Sequence, residues 1–315
     1  MRRTPAERVT FLKLTKTQKY LFVGLFAAAA LLLLIGARYD LAFNKAIYQP
    51  NSLIAGVMEA LCWWPLYLPV ALLGAVWAFL YRDNPGRHVL GEALLVVFFF
   101  ILFAQTLGYL AKRGILPLDG LWFTGLQLVL TLLCTIAAIS FTARFGKADL
   151  IRLDFIAKTG ILLCAADNIV INLVKVIWAR TRFDDMAATG DFSAFSAWYH
   201  PGGAGGSSFP SGHTASACGI LLLLLLPVVF DKLKNKATLL TGISLGFIAF
   251  SALCRIWIGR HFLSDTAAAA AIMTAVFLLL TQNPLFVKRL AAMQKRAAEA
   301  ETFATEAAAE QPSTT

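Results

Sequence analysis

Charged residues are scarce in this chain of 315 residues: they make up 15% of it, against 58% hydrophobic residues. That balance excludes an ordinary soluble domain, and a mean hydropathy of +0.69 fits a bundle of membrane helices. Cysteine is also sparse. There are five, an odd number, with no CxxC spacing, which indicates neither a disulfide framework nor a zinc site. Cys62, Cys134, Cys164, Cys218 and Cys254 all fall in or beside apolar segments and read as small buried hydrophobes. The chain shows no strong internal repeat and no second soluble domain. Its first apolar segment is a poor signal peptide, because the polar lead and the core are both long and Gly36-Ala-Arg-Tyr-Asp40 is a poor cleavage site.

Long apolar runs are what the chain has in quantity. Crossing the hydrocarbon core takes ~20 mostly apolar residues per helix. Eight stretches qualify, roughly 20–37, 62–81, 88–111, 121–143, 155–178, 211–230, 237–257 and 263–282. The fold class is therefore all-α, a polytopic transmembrane bundle of about eight spans. The Ala267 to Ala271 run in the last span predicts close packing on a neighbour. A net charge of +10 would point to nucleic acid in a soluble protein. Here the basic residues lie between apolar runs, where they act as orientation signals, and no nucleic-acid partner is expected. With a cytoplasmic N-terminus, the inner side holds eighteen Lys and Arg, six of them before residue 20. The outer side holds eight: Arg38, Lys45, Lys112, Arg113, Arg180, Arg182, Arg255 and Arg260. Both termini are then cytoplasmic and the protein sits in the cell membrane.

Residues 1–19 read as a basic segment along the inner membrane surface, 20–150 as N-terminal spans, 151–285 as a core that carries the motifs below, and 286–315 as a frayed or disordered cytoplasmic tail. Residues 38–61 form the first outer loop. Asn84-Pro-Gly86 marks a tight inner turn. Residues 179–210 form the longest outer segment. It carries Asp184-Asp185, Trp198-Tyr199 and a flexible run from Gly202 to Ser208.

Three separated pieces carry the chemistry. Lys175-Val-Ile-Trp-Ala-Arg-Thr-Arg182 closes the fifth span with three cations. Alone it could be a positive membrane border. But Asn168, Asn172 and Lys175 recur on one helix face, with Asp167 beside it, and polar groups at membrane depth normally point into the bundle or a wet cavity. Pro210-Ser-Gly-His-Thr214 opens the sixth span, where Ser211 and Gly212 offer free backbone N–H groups and the helix dipole favours an anion. His213 lies within reach of whatever is held there. Taken by itself it could equally be a histidine facing the interface. Arg255-Ile-Trp-Ile-Gly-Arg-His261-Phe-Leu-Ser-Asp265 follows the seventh span, and His261 and Asp265 share a helix face, the spacing of an imidazole oriented by a carboxylate. That pair is common by chance alone. The three pieces on one membrane side are not.

Together, Lys-x6-Arg, Pro-Ser-Gly-His and Arg-x5-His-x3-Asp resemble the type-2 phosphatidate phosphatase superfamily. The resemblance implies a six-helix core, so two spans, 88–111 and 121–143, look like an addition. It implies His261 as the nucleophile that takes the phosphoryl group, Asp265 orienting it, and His213 as the acid that protonates the leaving oxygen. It further implies Lys175, Arg182, Ser211, Gly212 and Arg255 as phosphate-binding groups, with no metal and no cofactor. Three positions depart from the family pattern: Phe183 stands where proline is usual, Ala179 where glycine is frequent, and Cys254 where serine is usual. Phe183 is expected to reshape the start of the outer segment, and Cys254 to cost one phosphate contact.

The remaining polar residues have bland readings. His88 is structural at the inner border, and His200 is a loop residue. Arg180 and Arg260 are surface or head-group charges. Gln105 and Gln127 bond between helices. The resulting expectation is an integral membrane enzyme, a metal-independent hydrolase of a lipid phosphate monoester or lipid pyrophosphate. It acts through a phosphohistidine on the extracytoplasmic face, with membrane lipids and a lipid phosphate as partners. A phosphatase of a polar ester and a non-catalytic lipid-phosphate binding or transport protein are the alternatives. Phosphatidate, phosphatidylglycerophosphate, undecaprenyl pyrophosphate and lipid A phosphates all remain open as substrates. The charge asymmetry predicts that a cysteine placed within 186–206 is labelled on intact cells by an impermeant thiol reagent, and one within 232–236 is not. Reversed labelling would put the site in the cytoplasm.

Overall fold

The computed structural model describes residues 14–203 and 205–309. Among these the chain is all-helical, and eight helical stretches are long and apolar enough to cross a membrane. The basic segment before residue 14 and the last six residues lie outside the described residues.

Helix α1 (Lys16–Ile47) starts at a capping box: Thr15 Oγ1 accepts from Gln18 N at 3.1 Å, and Gln18 Oε1 accepts from Thr15 N at 2.9 Å. It runs ten residues beyond the expected 20–37. Asp40 and Asn44, four apart and both fully buried, hold this extension against the bundle by polar contacts rather than by an apolar stripe. Helix α2 (Leu53–Leu61) follows, capped by Ser52. The segment 38–61, expected as an outer loop, is thus mostly helix. After a break at Cys62 and Trp63 come α3 (Trp64–Leu80) and α4 (Pro85–Lys112). The Asn84-Pro-Gly86 turn is the start of α4: Pro85 takes the first helical position, and Asn84 Oδ1 accepts from Arg87 N at 3.1 Å.

Helices α5 (Gly120–Thr142) and α6 (Lys147–Trp178) complete the first half. The segment that follows α6 contains α7 (Phe183–Thr189). Helix α8 (Gly212–Ala217) continues through a 3-10 stretch, Cys218–Leu225, into α9 (Leu226–Val229). Then come α10 (Ala237–Trp257), α11 (Leu263–Gln282) and α12 (Pro284–Ala309). The tail expected to be frayed or disordered is helical as far as Ala309. It buries Phe286, Leu290, Met293 and Ala297, spaced by four, three and four, on a face that packs against α6, and Arg152 reaches Glu301 at 2.6 Å.

The Gly212–Val229 span is the most enclosed, with α3, α6, α10 and α11 around it. Helix α1 lies along α11, whose Ala267, Ala268 and Ala269 are buried as close packing requires. Helix α5 packs on α4 and α3, and Gln127 Nε2 donates to Phe100 O at 3.1 Å, which makes the expected bond between helices. Leu34, Leu132, Ile169, Leu173 and Leu279 project outward, all more than half exposed, as an apolar belt of the kind that lipid covers. The ends of α6 and α10 and the starts of α8 and α11 meet at one end of the bundle, so the three sequence pieces converge there.

The α3–α4 crossing depends on two glycines. A Cβ at Gly91 would stand 2.8 Å from Ala78 N and from Gly74 O. Gly91→Val should therefore force the helices apart, at a cost of ~1–3 kcal/mol. In detergent its apparent melting temperature should fall by several degrees, whereas Gly108→Val, at a glycine of the same helix with open space around it, should change little. Equal shifts in the two variants would contradict this account of the crossing.

Candidate active site

Helix α6 ends when Ala179 enters the left-handed region, at φ 44° and ψ 31°. The chain then doubles back on itself. Gly202 N donates to Ile177 O at 3.1 Å, Gly203 N to Trp178 O at 2.9 Å, Gly206 N to Ala179 O at 2.8 Å and Ser208 N to Arg180 O at 2.9 Å. The run expected to be flexible is therefore strapped along the backbone of the first motif. Gly206 is required for it, since a Cβ there would lie 2.2 Å from Arg180 O. The segment between α6 and α8 is pinned at its aromatic end too: Trp178 Nε1 donates to Trp198 O, and Trp198 Nε1 to Leu33 O on α1 at 2.8 Å.

The strap delivers Ser208 to the third motif. His261 Nδ1 lies 2.7 Å from Ser208 O. A carbonyl only accepts, so Nδ1 carries the proton and Nε2 keeps its lone pair. The expected direct contact with Asp265 is not made, because Nδ1 is 3.8 Å from Asp265 Oδ2. That oxygen instead accepts from Ser208 Oγ at 2.5 Å and from Phe262 N at 2.8 Å. Asp265 thus orients His261 through Ser208, which donates to the carboxylate with its hydroxyl and accepts from the imidazole with its carbonyl. Asn44 Nδ2 holds His261 O at 3.0 Å. Burial pushes the His261 imidazole down to about 3; Asp265 opposes that shift and Arg255 adds to it, so the ring is neutral at physiological pH.

Arg180, expected to be a surface charge, is fully buried. Its Nη1 donates to Asp265 Oδ1 at 2.6 Å and to Ser264 Oγ at 2.9 Å, its Nη2 to Asp40 Oδ2 at 2.9 Å, and its Nε to Ser196 O at 2.9 Å. The Phe262 ring lies 4.1 Å below the guanidinium. The left-handed turn at Ala179 reverses the direction of travel, so helical spacing could not tell which of Arg180 and Arg182 points inward. Arg260 is also mostly covered, 2.9 Å from Asp184 Oδ2. His88, by contrast, stays structural, with Nδ1 2.8 Å from Ala78 O.

The second motif opens α8. Ser211 is buried and already engaged: its Oγ accepts from Thr214 N at 3.3 Å, and its N–H donates to Asp265 O at 3.0 Å. Capping the helix and tying it to α11 takes Ser211 out of the free phosphate cradle expected of it. Gly212 faces the Lys175 amine, which a Cβ there would approach to 3.1 Å. His213 is enclosed by the rings of Trp63 and Tyr109, with centroids 4.6 and 5.4 Å away, and its buried Nε2 has no partner among the described residues. Its electrostatic neighbours are Arg255, His261, Lys175 and Arg182, so all three motifs surround one point.

Arg182 and Arg255 each keep a buried nitrogen without a partner among the described residues. Arg182 Nη2 donates to Ser207 Oγ at 2.9 Å while its Nε is unpartnered among the described residues. Arg255 is 2% exposed, its Nη1 2.7 Å from Glu59 Oε1, and its Nε likewise lacks a partner. Buried donors left open in this way suit an anion that arrives with several acceptor oxygens. The expected polar stripe on α6 is different. Asn168 and Asn172 face outward and bond to the carbonyls one turn back, Cys164 O and Asn168 O, so it is Asp167 that is buried. Cys254 packs in an apolar cluster with Ala55, Met58 and Cys62 of the α2 region. Phe183 opens α7 and packs on Phe262 and on the edge of Tyr48.

Asp40, Asn44, Glu59 and Ser208 are the site-supporting residues that motif reading missed. Asp40 and Asn44 did leave a trace, two polar residues four apart at the end of an apolar run. Glu59 left none.

Compared with known proteins, residues 158–288 match the family model of the PAP2 superfamily, a stretch that holds all three motifs. No curated protein and no solved structure matches the chain. The family match and the eight membrane-length helices together support a multi-pass membrane phosphatase.

Ala179 stands where the family favours glycine, and its left-handed backbone shows why. A Cβ in that region costs roughly 1 kcal/mol that glycine avoids. Ala179→Gly should raise the thermal midpoint in detergent by a few degrees. A lower midpoint would mean that the strap compensates for the strain.

Proposed function

With residues 158–288 a PAP2-superfamily segment, we propose that the chain is a membrane phosphatase of a lipid phosphate monoester or lipid pyrophosphate, working through a phosphohistidine on His261 at the extracytoplasmic face. The observation that carries this reading is the tautomer of His261. Its Nδ1 proton is tied to Ser208 O at 2.7 Å, which leaves Nε2 as a neutral nucleophile in the field of Arg255 and Lys175.

In the proposed reaction, Nε2 attacks phosphorus as the bond to the leaving oxygen breaks. His213 gives that oxygen its proton. A water that returns a proton to His213 then attacks the phosphohistidine, releasing phosphate and restoring both imidazoles. Charge spreads over the equatorial oxygens in each step, and the two guanidiniums, the amine and the Gly212 end of α8 are aligned to meet it. Asp265 does not touch the reacting atoms. It acts through Ser208, keeping the proton on Nδ1. A lipid substrate is favoured because α6 presents Ile169, Leu173 and Val176 outward within two turns of Lys175, each more than half exposed. A substrate tail could stay in the bilayer along that face while its phosphate enters the clamp.

His261→Ala should abolish phosphate release while the protein remains monodisperse in detergent, a loss of roughly several orders of magnitude. The assay is phosphate release from phosphatidate, phosphatidylglycerophosphate, undecaprenyl pyrophosphate, a lipid A phosphate and a sugar phosphate, each with and without chelator. Chelator should leave wild-type turnover intact. Activity within about tenfold of wild type would remove His261 as nucleophile, and rescue of a chelated enzyme by magnesium would replace the mechanism.

A further inference from the structure

Helix α4 belongs to the pair of spans that look added to the family core, and it lies wholly outside the matched segment. Yet it meets the site at two points. Tyr109 closes one side of His213, its ring 5.4 Å from the imidazole and stacked on Trp63 at 6.4 Å. One turn on, Arg113 Nε donates to Glu59 Oε2 at 2.6 Å. Glu59 is 2% exposed, and its other oxygen lies 2.7 Å from Arg255 Nη1 and 3.7 Å from Arg260 Nε. A single buried carboxylate therefore serves three guanidiniums.

This division has a consequence for Arg255. If Glu59 paired with Arg255 alone, the guanidinium would meet a phosphate already neutralised, and at low dielectric most of its attraction would be cancelled. Arg113 takes one carboxylate oxygen for itself, fixes the other against Arg255, and draws off part of the negative charge. Its own Nη1 is braced on Pro50 O at 3.4 Å. We infer that Arg113 is a positioning residue of the phosphate site: by sharing Glu59 with Arg255, it keeps the Arg255 guanidinium oriented and only partly neutralised for substrate, and this is the functional contribution of the α4 end. The inference rests on Arg255 as a phosphate ligand in the function proposed above.

The test is a double-mutant cycle read by binding, with purified full-length protein in detergent and orthovanadate as the probe in titration calorimetry. Arg113→Gln should raise the vanadate dissociation constant about tenfold in the wild-type background. In a Glu59→Gln background, where there is no charge to share, the same change should cost less than about twofold. Arg113→Lys, which keeps the cation beside Glu59, should stay within about threefold of wild type. If Arg113 only fastened α4 to α2, Arg113→Gln would lower the melting temperature and leave vanadate affinity alone. If it touched the anion directly, the cost would be equal in both backgrounds. Either result overturns the inference, as does an Arg113→Lys variant as weak as Arg113→Gln. Wild type that binds no vanadate overturns it too, since Arg255 would then clamp no anion. Turnover is measured separately: vanadate bound as expected by a protein that hydrolyses none of the substrates would sink the phosphatase reading and leave this one standing.

Discussion

One guanidinium between two carboxylates holds this architecture together. Arg180, fully buried, binds Asp40 of α1 and Asp265 of α11 and also takes Ser196 and Ser264. Three charges at the end of a membrane bundle are costly unless each is paired and hydrogen-bonded, and removing one partner from such a group costs about 3–5 kcal/mol. Pairing at this depth demands accurate placement. Helix α1 must run on to bring in Asp40, and the chain must turn left-handed at Ala179 to aim Arg180 inward. The strap from Gly202 must then return along that turn, and its last residue, Ser208, reaches both Asp265 and His261. The orientation of His261 is thus the last link of a chain that begins with this ion pair.

A second charge group sits beside it and is organised on the opposite principle. Where Arg180 is saturated, Arg255, Arg182 and His213 each keep a buried nitrogen without a partner among the described residues. Glu59 stabilises Arg255 but divides its charge with Arg113 and Arg260. Saturated charges give rigidity, and incompletely matched charges give affinity for an incoming anion. Both groups lie around the same helix ends, so the site is held by one set of ionic contacts and left open by the other. The bilayer sharpens this contrast, since groups screened cheaply in water are screened poorly here.

The aromatic residues supply shape where the charges supply force. Trp63 and Tyr109 enclose His213, and Phe262 and Phe195 lie under Arg180. Phe183, where the PAP2 pattern usually has proline, joins the same layer through Phe262 and Tyr48. That departure is absorbed because a helix, α7, starts at Phe183 and buries its ring.

Much of this was legible in the residues alone. Apolar runs of bilayer length dictate eight spans and an all-helical fold, because no other open structure satisfies its backbone in lipid. The three motifs single out Lys175, Arg182, His213, Arg255, His261 and Asp265, which the fold gathers at one end of the bundle. What the sequence could not decide is how these groups are supported. Asp40, Asn44, Glu59 and Arg113 carry no motif, and they matter only through what tertiary packing places beside them. Ser208 gains a role at His261 and Ser211 is engaged as a helix cap, since one left-handed residue and one helix cap redirect the backbone. Arg180 and Arg182 stand two residues apart with identical side chains, one a buried strut and the other with a guanidinium nitrogen left unpartnered among the described residues. Spacing along a chain specifies a face only while the helix continues, and here the helix ends between Lys175 and Arg180.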